Sequence, residues 1–339
     1  MAATLFIGRG LHPAGCNPAP PLRQGRPVAR VKRRAEVTLA LVALVWASIA
    51  GGCSEPDFEE TWEVKRLRLL AVQVEPPEVG PGESVTLRAL VVQPGSGVPQ
   101  LRWQLCLAVD RSLPDAPCVG VPLDGGDAVD VLWEGEGAEI AFTSPLSGAE
   151  VEVLCEALRT FRAESCALGL PLVWRLEAAG AADQRLVATR ELLLLTEAAA
   201  ARDDRNRNPT LGPLLIGDQP ITEADGSVTI VWDGASDIEL AFETDTSASQ
   251  VYDDPRSPGE RRREELRASW FVEEGELERS VTYFAEGIAA LDELTSNLWS
   301  TTSRRPLPTD QELRLWVVLR DSRNGVAWRE ARIRLTVPR

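Results

Sequence analysis

The chain of 339 residues has very few of the side chains that carry most hydrolytic and metal chemistry. Its one histidine, His12, lies close to the N-terminus. Histidine is the usual general base for a serine or cysteine nucleophile and the commonest metal ligand. Lys65 is the only lysine beyond residue 52, which disfavours a serine–lysine pair. We therefore expect no catalytic triad, no metal site and no cofactor.

The sequence also lacks an apolar run long enough for a bilayer-spanning helix. The uncharged run from Val37 to Ala50 has about 14 residues, whereas a spanning helix needs about 20. It follows the basic cluster Lys32-Arg33-Arg34 and precedes small residues and Cys53. That order predicts an export leader over residues 1–52. Val31 is a candidate for the true start, because the first 30 residues fit neither a signal nor a domain.

The segment Ala50-Gly51-Gly52-Cys53 resembles the lipobox of bacterial lipoproteins, with Ala50 where that motif usually carries leucine. The resemblance implies that Cys53 is acylated, becomes the mature N-terminus and tethers the chain to a membrane. Ser54 after the cysteine implies sorting to the outer membrane, facing either the periplasm or the outside. The alternative is ordinary signal-peptidase cleavage after Ala50.

Acidic residues outnumber basic ones, 51 against 36. The predicted leader carries seven of the basic and one of the acidic residues, so the remainder would have a net charge of −21. A surface of that sign repels phosphate backbones, which disfavours nucleic acid as a partner. Among so many carboxylates some pairs lie at glycosidase-like separations by chance, so such pairs do not by themselves indicate a hydrolase.

Four cysteines follow Cys53, and an even number is typical of exported, disulfide-bonded proteins. They are Cys106, Cys118, Cys155 and Cys166. Of the three possible connectivities we favour Cys106–Cys118 with Cys155–Cys166, because each of these disulfides would close a short loop of the chain. The alternative, a four-cysteine metal site, is disfavoured because the spacing contains no C-x-x-C pair.

Alternating apolar and polar residues predict β-strands. In the first half we expect strands at Leu67–Val74, Ser84–Val92 and Leu101–Cys106, separated by turns rich in proline and glycine. Trp103 would lie on one side of the third strand. The pattern is similar to the opening strands of an immunoglobulin-like sandwich, whose third strand carries a core tryptophan.

The same pattern recurs in the second half, which indicates a duplicated fold. A closing hairpin of Trp174–Ala178 and Leu186–Leu195 corresponds to one of Trp316–Arg320 and Val326–Val337, and strands at Leu266–Val272 and Ile238–Phe242 mirror those at Trp103 and Val85. The predicted fold class is all-β, with two tandem immunoglobulin-like β-sandwich domains after a lipoprotein signal peptide. The expected organisation is a leader at 1–52, an anchor tether at 53–65, domain 1 at 66–198, a linker at 199–213 and domain 2 at 214–339.

Three segments depart from the strand pattern. Ala149–Cys166 and Phe284–Trp299 have apolar residues at helical spacing and are expected to be insertions between strands. Asp253–Arg267 is expected to be an exposed, charged loop. In the linker, Arg205 and Arg207 interleave with Asp and Asn oxygens, which favours a polar hinge over a calcium site.

Tryptophan is abundant relative to tyrosine, with ten against two. Trp133, Trp232, Trp299 and Trp328 fall outside the predicted core strands, and exposed tryptophan is typical of sugar-stacking surfaces. These positions favour an alternative function, a carbohydrate-binding module displayed on the outer membrane.

In its leader and coarse domain pattern the chain resembles two-domain, immunoglobulin-like lipoproteins of GC-rich Gram-negative bacteria, and its bias toward arginine over lysine agrees with such a genome. The resemblance implies a cell-envelope protein, held at the outer membrane by a lipid on Cys53, with a non-catalytic binding or structural role. Its partners would be the membrane and an envelope protein or a glycan. We do not expect an enzyme.

Overall fold

The computed structural model describes residues 60–336, except 96, 123–127, 160–167, 218, 222–226, 255–256, 258 and 301–306. The predicted leader, Cys53 and Cys166 lie outside the described residues. Chain contacts group Glu59–Arg339 into one unit. Within the described ranges, no helix is both long enough and apolar enough to cross a bilayer.

The first sandwich is built from strands in which alternate side chains face a shared core. Its strands are β1 (Arg68–Glu75), β2 (Glu78–Val79), β3 (Ser84–Val92), β4 (Gln100–Cys106), β5 (Val121–Pro122), β6 (Ala128–Val129), β7 (Trp133–Glu136), β8 (Glu139–Thr143), β9 (Gly169–Ala179) and β10 (Arg185–Leu195). One sheet has the order β1-β3-β8 and the other β2-β10-β9-β4-β7, while β5 and β6 form a separate ribbon. Helix α1 (Gly148–Arg159) precedes β9, and the short helix α2 (Glu197–Ala200) follows β10.

The second sandwich repeats this plan. Its strands are β11 (Leu214–Ile216), β12 (Gln219–Ile221), β13 (Ser227–Val231), β14 (Ile238–Phe242), β15 (Val251–Asp253), β16 (Arg261–Arg263), β17 (Leu266–Val272), β18 (Glu276–Leu277), β19 (Val281–Phe284), β20 (Ser296–Ser300), β21 (Glu312–Asp321) and β22 (Val326–Thr336). The sheets have the orders β12-β11-β14-β20-β18 and β13-β22-β21-β17-β19, and β15 pairs with β16. Helix α3 (Leu291–Thr295) precedes β20.

The strand order confirms the predicted all-β class. Strands β1, β3 and β8 occupy the places of A, B and E in an immunoglobulin-like sandwich, and β4, β9 and β10 those of C, F and G. Strands β11, β14, β20, β17, β21 and β22 repeat the same order. In both sandwiches a short edge strand pairs in parallel with the last strand, β2 with β10 and β13 with β22.

Each sandwich core is centred on a tryptophan of its third long strand. Trp103 on β4 is fully buried, its ring centroid 5.7 Å from that of Trp174, and its Nε1 donates to the carbonyl of Gly137 at 2.8 Å. Trp270 takes the equivalent place on β17 and is also fully buried. The prediction that Trp103 is a core residue is confirmed.

The predicted correspondence between Trp174 and Trp316 is wrong by one residue. Trp103 lies opposite Leu176 on the neighbouring strand, whereas Trp270 lies opposite Val317. Because side chains alternate between the faces of a strand, Trp174 faces the core of its own sandwich and Trp316 faces the other side of its sheet.

The three segments outside the strand pattern have different outcomes. The helix expected within Ala149–Cys166 is present as α1. The segment Phe284–Trp299 contains only the five-residue helix α3 before β20 begins. The segment Asp253–Arg267 is not an exposed loop, because it contributes to the β15–β16 hairpin and buries Glu264, which is 1% exposed.

Candidate functional site at the junction of the two sandwiches

A third apolar core lies between the sandwiches, separate from the core of each. The side chains of Trp316 and Val318 project from the outer face of β21 and are fully buried against side chains from β1 and β3. Its buried members are Val64, Leu70, Ala71, Leu90, Val92, Trp316, Val318 and Val326, with Phe271 and Trp328 packed against them. Each large apolar side chain that is fully buried stabilises a fold by about 1.5–3 kcal/mol. The contact between the two sandwiches is therefore packed like a protein interior.

The chain enters this core before β1 begins. Val64 N donates to the carbonyl of Val272 at 3.0 Å, and Val272 N donates to the carbonyl of Trp62 at 2.9 Å. Val64 is 1% exposed. The end of the segment predicted as a tether is thus paired with β17 of the second sandwich and buried, because its apolar side chains complete the junction.

Next to the apolar core lies a set of buried and partly buried polar residues, which we call the junction cluster: Glu78, Asn206, Glu264, Asp321 and Arg323. Arg323 Nη2 donates to Glu78 Oε1 at 2.7 Å, and its Nη1 to Glu264 Oε1 at 3.4 Å. The backbone N–H of Asn206 donates to Glu78 Oε2 at 3.0 Å. The first sandwich, the connecting segment and the second sandwich thereby share one hydrogen-bonded network.

The turn between β21 and β22 aims Arg323 at this network. Asp321 Oδ1 accepts hydrogen bonds from the backbone N–H groups of Arg323 and Gly325, both at 2.7 Å. A Cβ atom at Gly325 would lie only 2.0 Å from Asp321 Oδ2, so only glycine fits this close approach. The guanidinium of Arg323 rests on the ring of Tyr252, 4.6 Å from its centroid.

The junction cluster holds three carboxyl groups near one guanidinium. Burial raises the pKa of Glu264 to about 7, and repulsion from Asp321 adds to the rise. Burial also raises the pKa of Asp321 above its ordinary range. One arginine cannot neutralise three buried carboxylates, so the arrangement favours a proton on Glu264 near neutral pH.

The polar segment between the sandwiches is fixed by hydrogen bonds and is not a solvated hinge. Arg205 donates to both carboxylate oxygens of Glu83, at 2.7 and 2.6 Å. Asn208 Nδ2 donates to the carbonyl of Val74 at 2.9 Å, and its Oδ1 accepts from Val326 N at 2.8 Å. The side-chain oxygens of Asp204 and Asn208 are therefore engaged in contacts within the chain, whereas Asn206 Oδ1 is buried without a hydrogen-bond partner among the described residues.

A shallow pocket of about 530 Å³ opens beside the connecting segment. It is lined by Pro76, Glu83, Ser84, Arg202, Asp203, Arg205, Asn206 and Arg207. Arg202 pairs with Asp204 at 2.7 Å and Arg205 with Glu83 at 2.6 Å. Of the three arginines that line the pocket, only the exposed Arg207 has no carboxylate partner among the described residues, and the exposed carboxylate of Asp203 lines the same pocket.

One predicted disulfide is confirmed, and the other is partly outside the described residues. Cys106 and Cys118 are bonded, with their Cα atoms 5.6 Å apart. Cys155 is also disulfide-bonded. Its predicted partner Cys166 is not described, so that pairing stays a prediction. Cys53, the predicted lipidation site, is likewise not described.

The premise of the glycan-binding alternative is wrong, because none of the four tryptophans is exposed. Trp232 and Trp299 are buried in the second sandwich, with 5% and 1% exposure. Trp133 is partly buried and stacks on Phe142 at 4.8 Å. Trp328 is partly buried at the junction. Sequence position alone misplaced them because Trp232 follows the end of β13, Trp299 lies within a strand that the pattern did not predict, and Trp328 packs from the outer face of its sheet.

Neither a metal centre nor an open acid pair stands out in the described part of the chain. Its His, Cys, Asp and Glu residues include no group of three or more placed to hold a metal ion. The carboxylates of Glu78 and Glu264 are nearly inaccessible to solvent, with 6% and 0% side-chain exposure, and both contact Arg323. Their arrangement joins the sandwiches and does not present a carboxylate to a substrate.

No family model and no curated protein matches the chain. Among solved structures, murine CEACAM1b is 10% identical with a TM-score of 0.19, over 79% of this chain and 100% of that one. Dimeric latent PorU from Porphyromonas gingivalis is 10% identical with a TM-score of 0.22, over 82% of this chain and 24% of PorU. The insect immune protein hemolin is 8% identical with a TM-score of 0.18, over 84% of this chain and 49% of hemolin. Scores of this size carry no argument, and the fold class rests on the strand pairing itself.

Proposed function

We propose that the chain is a lipid-anchored cell-envelope protein with a non-catalytic binding or structural role, in which two immunoglobulin-like sandwiches act as one rigid arm. The observation that carries this proposal is the junction, with its own apolar core and its buried charged network. Domains within a chain move relative to each other by default unless their interface is large and hydrophobic. A fixed junction is what a spacer, or a binding surface that spans both sandwiches, requires.

The short distance between Cys53 and the junction supports the anchored arrangement. Val64 lies eleven positions after Cys53 in the sequence, and an extended chain spans at most about 3.3–3.6 Å per residue. A lipid on Cys53 would therefore hold the junction within about 40 Å of a bilayer surface. The second sandwich is tied to the same entry point through Val272, so both sandwiches would be held near the membrane.

The anchoring is tested by fractionating cells that produce the full chain with Cys53→Ser. We expect the wild-type protein in the membrane fraction and the variant in the soluble fraction, with the mass of the purified wild type increased by the acyl groups. Cys16→Ser is the matched control and should behave as wild type. A Cys53→Ser chain that is still processed and membrane-bound would refute the lipid anchor.

The binding role is tested separately by crosslinking in intact cells. We expect the same protein or glycan-bearing partner in repeated experiments with wild-type protein. A variant with an opened junction, such as Trp316→Ala, should lose that partner if the binding surface spans both sandwiches. Failure to recover any reproducible partner would contradict a binding role.

A further inference from the structure

Arg320 is a cation at the sandwich junction that has no carboxylate partner within the described part of the chain. It follows Trp316 and Val318 on the same face of β21, so its side chain is directed toward the first sandwich. Its Nη2 donates to the carbonyl of Leu70 at 2.5 Å and its Nη1 to Ser269 Oγ at 3.4 Å. Its Nε is buried without a hydrogen-bond partner. The guanidinium therefore has a free donor and an uncompensated charge.

A β-bulge in the first sandwich provides the carbonyl that holds Arg320. The pairing of β1 with β3 shifts between Leu69 and Ala71, so Leu70 has no partner in the ladder. A bulged residue turns its backbone groups away from regular pairing. The carbonyl of Leu70 is thereby available to position the guanidinium.

Two further arginines lie close to Arg320. Arg267 is its direct cross-strand neighbour on β17. Arg190 approaches from β10, on the sheet face that also carries the buried Trp174. The pKa of Arg320 is lowered to about 10. Burial is the largest cause, and repulsion from Arg190 and Arg267 contributes to the decrease. Arg190 is an exposed residue, and partial burial of its side chain lowers its pKa as well.

This cluster differs from most other partly buried arginines of the chain, although the guanidinium of Arg279 likewise donates to backbone carbonyls and to no carboxylate among the described residues. Arg175, Arg205, Arg314 and Arg323 each contact a carboxylate. Among the described residues no carboxylate contacts Arg190, Arg267 or Arg320, although acidic residues outnumber basic ones, 51 against 36. Three like charges placed close together destabilise the free protein, and an anion bound between them would remove that cost.

Tyr283 extends the cluster toward solvent. It lies opposite Arg267 on β19 and is 51% exposed. Tyr283, Arg267 and Arg320 therefore form a row across three adjacent strands, with about 5 Å between neighbouring strands. The row offers one phenol and several guanidinium donors along about 10 Å.

We propose that Arg190, Arg267 and Arg320 form a binding site for a phosphate group at the mouth of the sandwich junction. Planar guanidinium groups donate paired hydrogen bonds that match the oxygens of phosphate, and the charge of a phosphate dianion suits a cluster of three cations. The site is distinct from the junction cluster, and it does not depend on lipid anchoring.

Calorimetric titration of the full chain carrying Cys53→Ser with inorganic phosphate, at constant ionic strength, tests the site. We expect saturable binding of one phosphate, weakened about tenfold by Arg190→Gln and by Arg267→Gln. Arg185→Gln, an exposed residue on the same strand as Arg190, is the matched control and should leave the affinity unchanged. Arg320→Gln should abolish binding, with circular dichroism to check that the variant is folded.

A second arm distinguishes the source of the phosphate. Vesicles of phosphatidylcholine with and without phosphatidic acid are sedimented with the same chain. Co-sedimentation that requires phosphatidic acid and Arg190 supports a lipid headgroup, whereas binding of inorganic phosphate alone supports a soluble phosphate compound. The proposal is overturned if the chain binds neither, or if Arg190→Gln and Arg267→Gln, both folded, bind within about twofold of wild type.

Discussion

At the scale of single residues, Glu264 links folding to pH. Its folded-state pKa of about 7 lies above the ordinary value of 4.5, because the site is buried and Asp321 repels the charge. The folded state therefore keeps a proton that the unfolded state loses near pH 4.5. Stability from this group is greatest below pH 4.5 and falls as the pH rises to about 7, by up to about 3 kcal/mol.

We predict that Glu264→Gln raises the free energy of unfolding at pH 8 by up to about 3 kcal/mol and has little effect at pH 4.5. Glutamine matches the neutral carboxyl in size, and its single side-chain oxygen can keep the hydrogen bond from Gln250 N, while the longer 3.4 Å contact with Arg323 is lost. Urea unfolding at both pH values measures the effect. Glu265→Gln, at the exposed neighbouring position, is the control. Lower stability of Glu264→Gln at pH 8 would contradict the prediction.

Sequence reasoning predicted some buried residues but not this cluster. Trp103 was identifiable because a strand with period-two alternation carries it in a place that sandwich cores share. The contact of Arg323 with Glu78 joins residues 245 positions apart. No local pattern encodes such a pairing, and both residue types are usually exposed. The one local signal was the turn Asp321–Gly325, which predicts a tight hairpin but not the direction of Arg323.

At the scale of elements, the turn between β21 and β22 depends on Gly325. We predict that Gly325→Ala lowers the free energy of unfolding by about 1–3 kcal/mol, because its Cβ would displace the Asp321 carboxylate. Chemical denaturation of the purified protein measures the loss. Asn324→Gly, in the same turn at a φ of 79°, is the control and should be neutral or slightly stabilising. Equal losses in both variants would argue against the close contact.

The elements also show where a period-two pattern succeeds and fails. Strands β3 and β17 have the predicted bounds, because one face of each is apolar and the other largely polar. On β21 the residues Trp316, Val317, Val318 and Leu319 are all buried. Alternation cannot identify the core face of such a strand, since the outer face is buried at the junction. That burial is the reason why the sequence pattern matched Trp316 with Trp174, one residue out of register.

At the scale of the whole molecule, the junction should make the sandwiches unfold together. Trp316 is fully buried there and belongs to neither sandwich core. We predict one calorimetric unfolding transition for the wild type and two for Trp316→Ala. The substitution should lower the free energy of unfolding by about 3–5 kcal/mol, because it removes a buried side chain from the junction. Scanning calorimetry measures this directly.

The control for that experiment is Val231→Ala, since Val231 is 70% exposed on β13. It should unfold in one transition, as the wild type does. Two separate transitions already present in the wild-type protein would show that the junction does not couple the sandwiches, and would count against the rigid arm.

The pairing of Trp62 and Val64 with Val272 has a mechanical consequence. A pull applied at the N-terminal end of the chain reaches β17 of the second sandwich through two backbone hydrogen bonds before it reaches β1. While this pairing holds, the load therefore passes directly into the second sandwich and bypasses the first. Tension would have to shear this short segment from β17 before it reached the first sandwich.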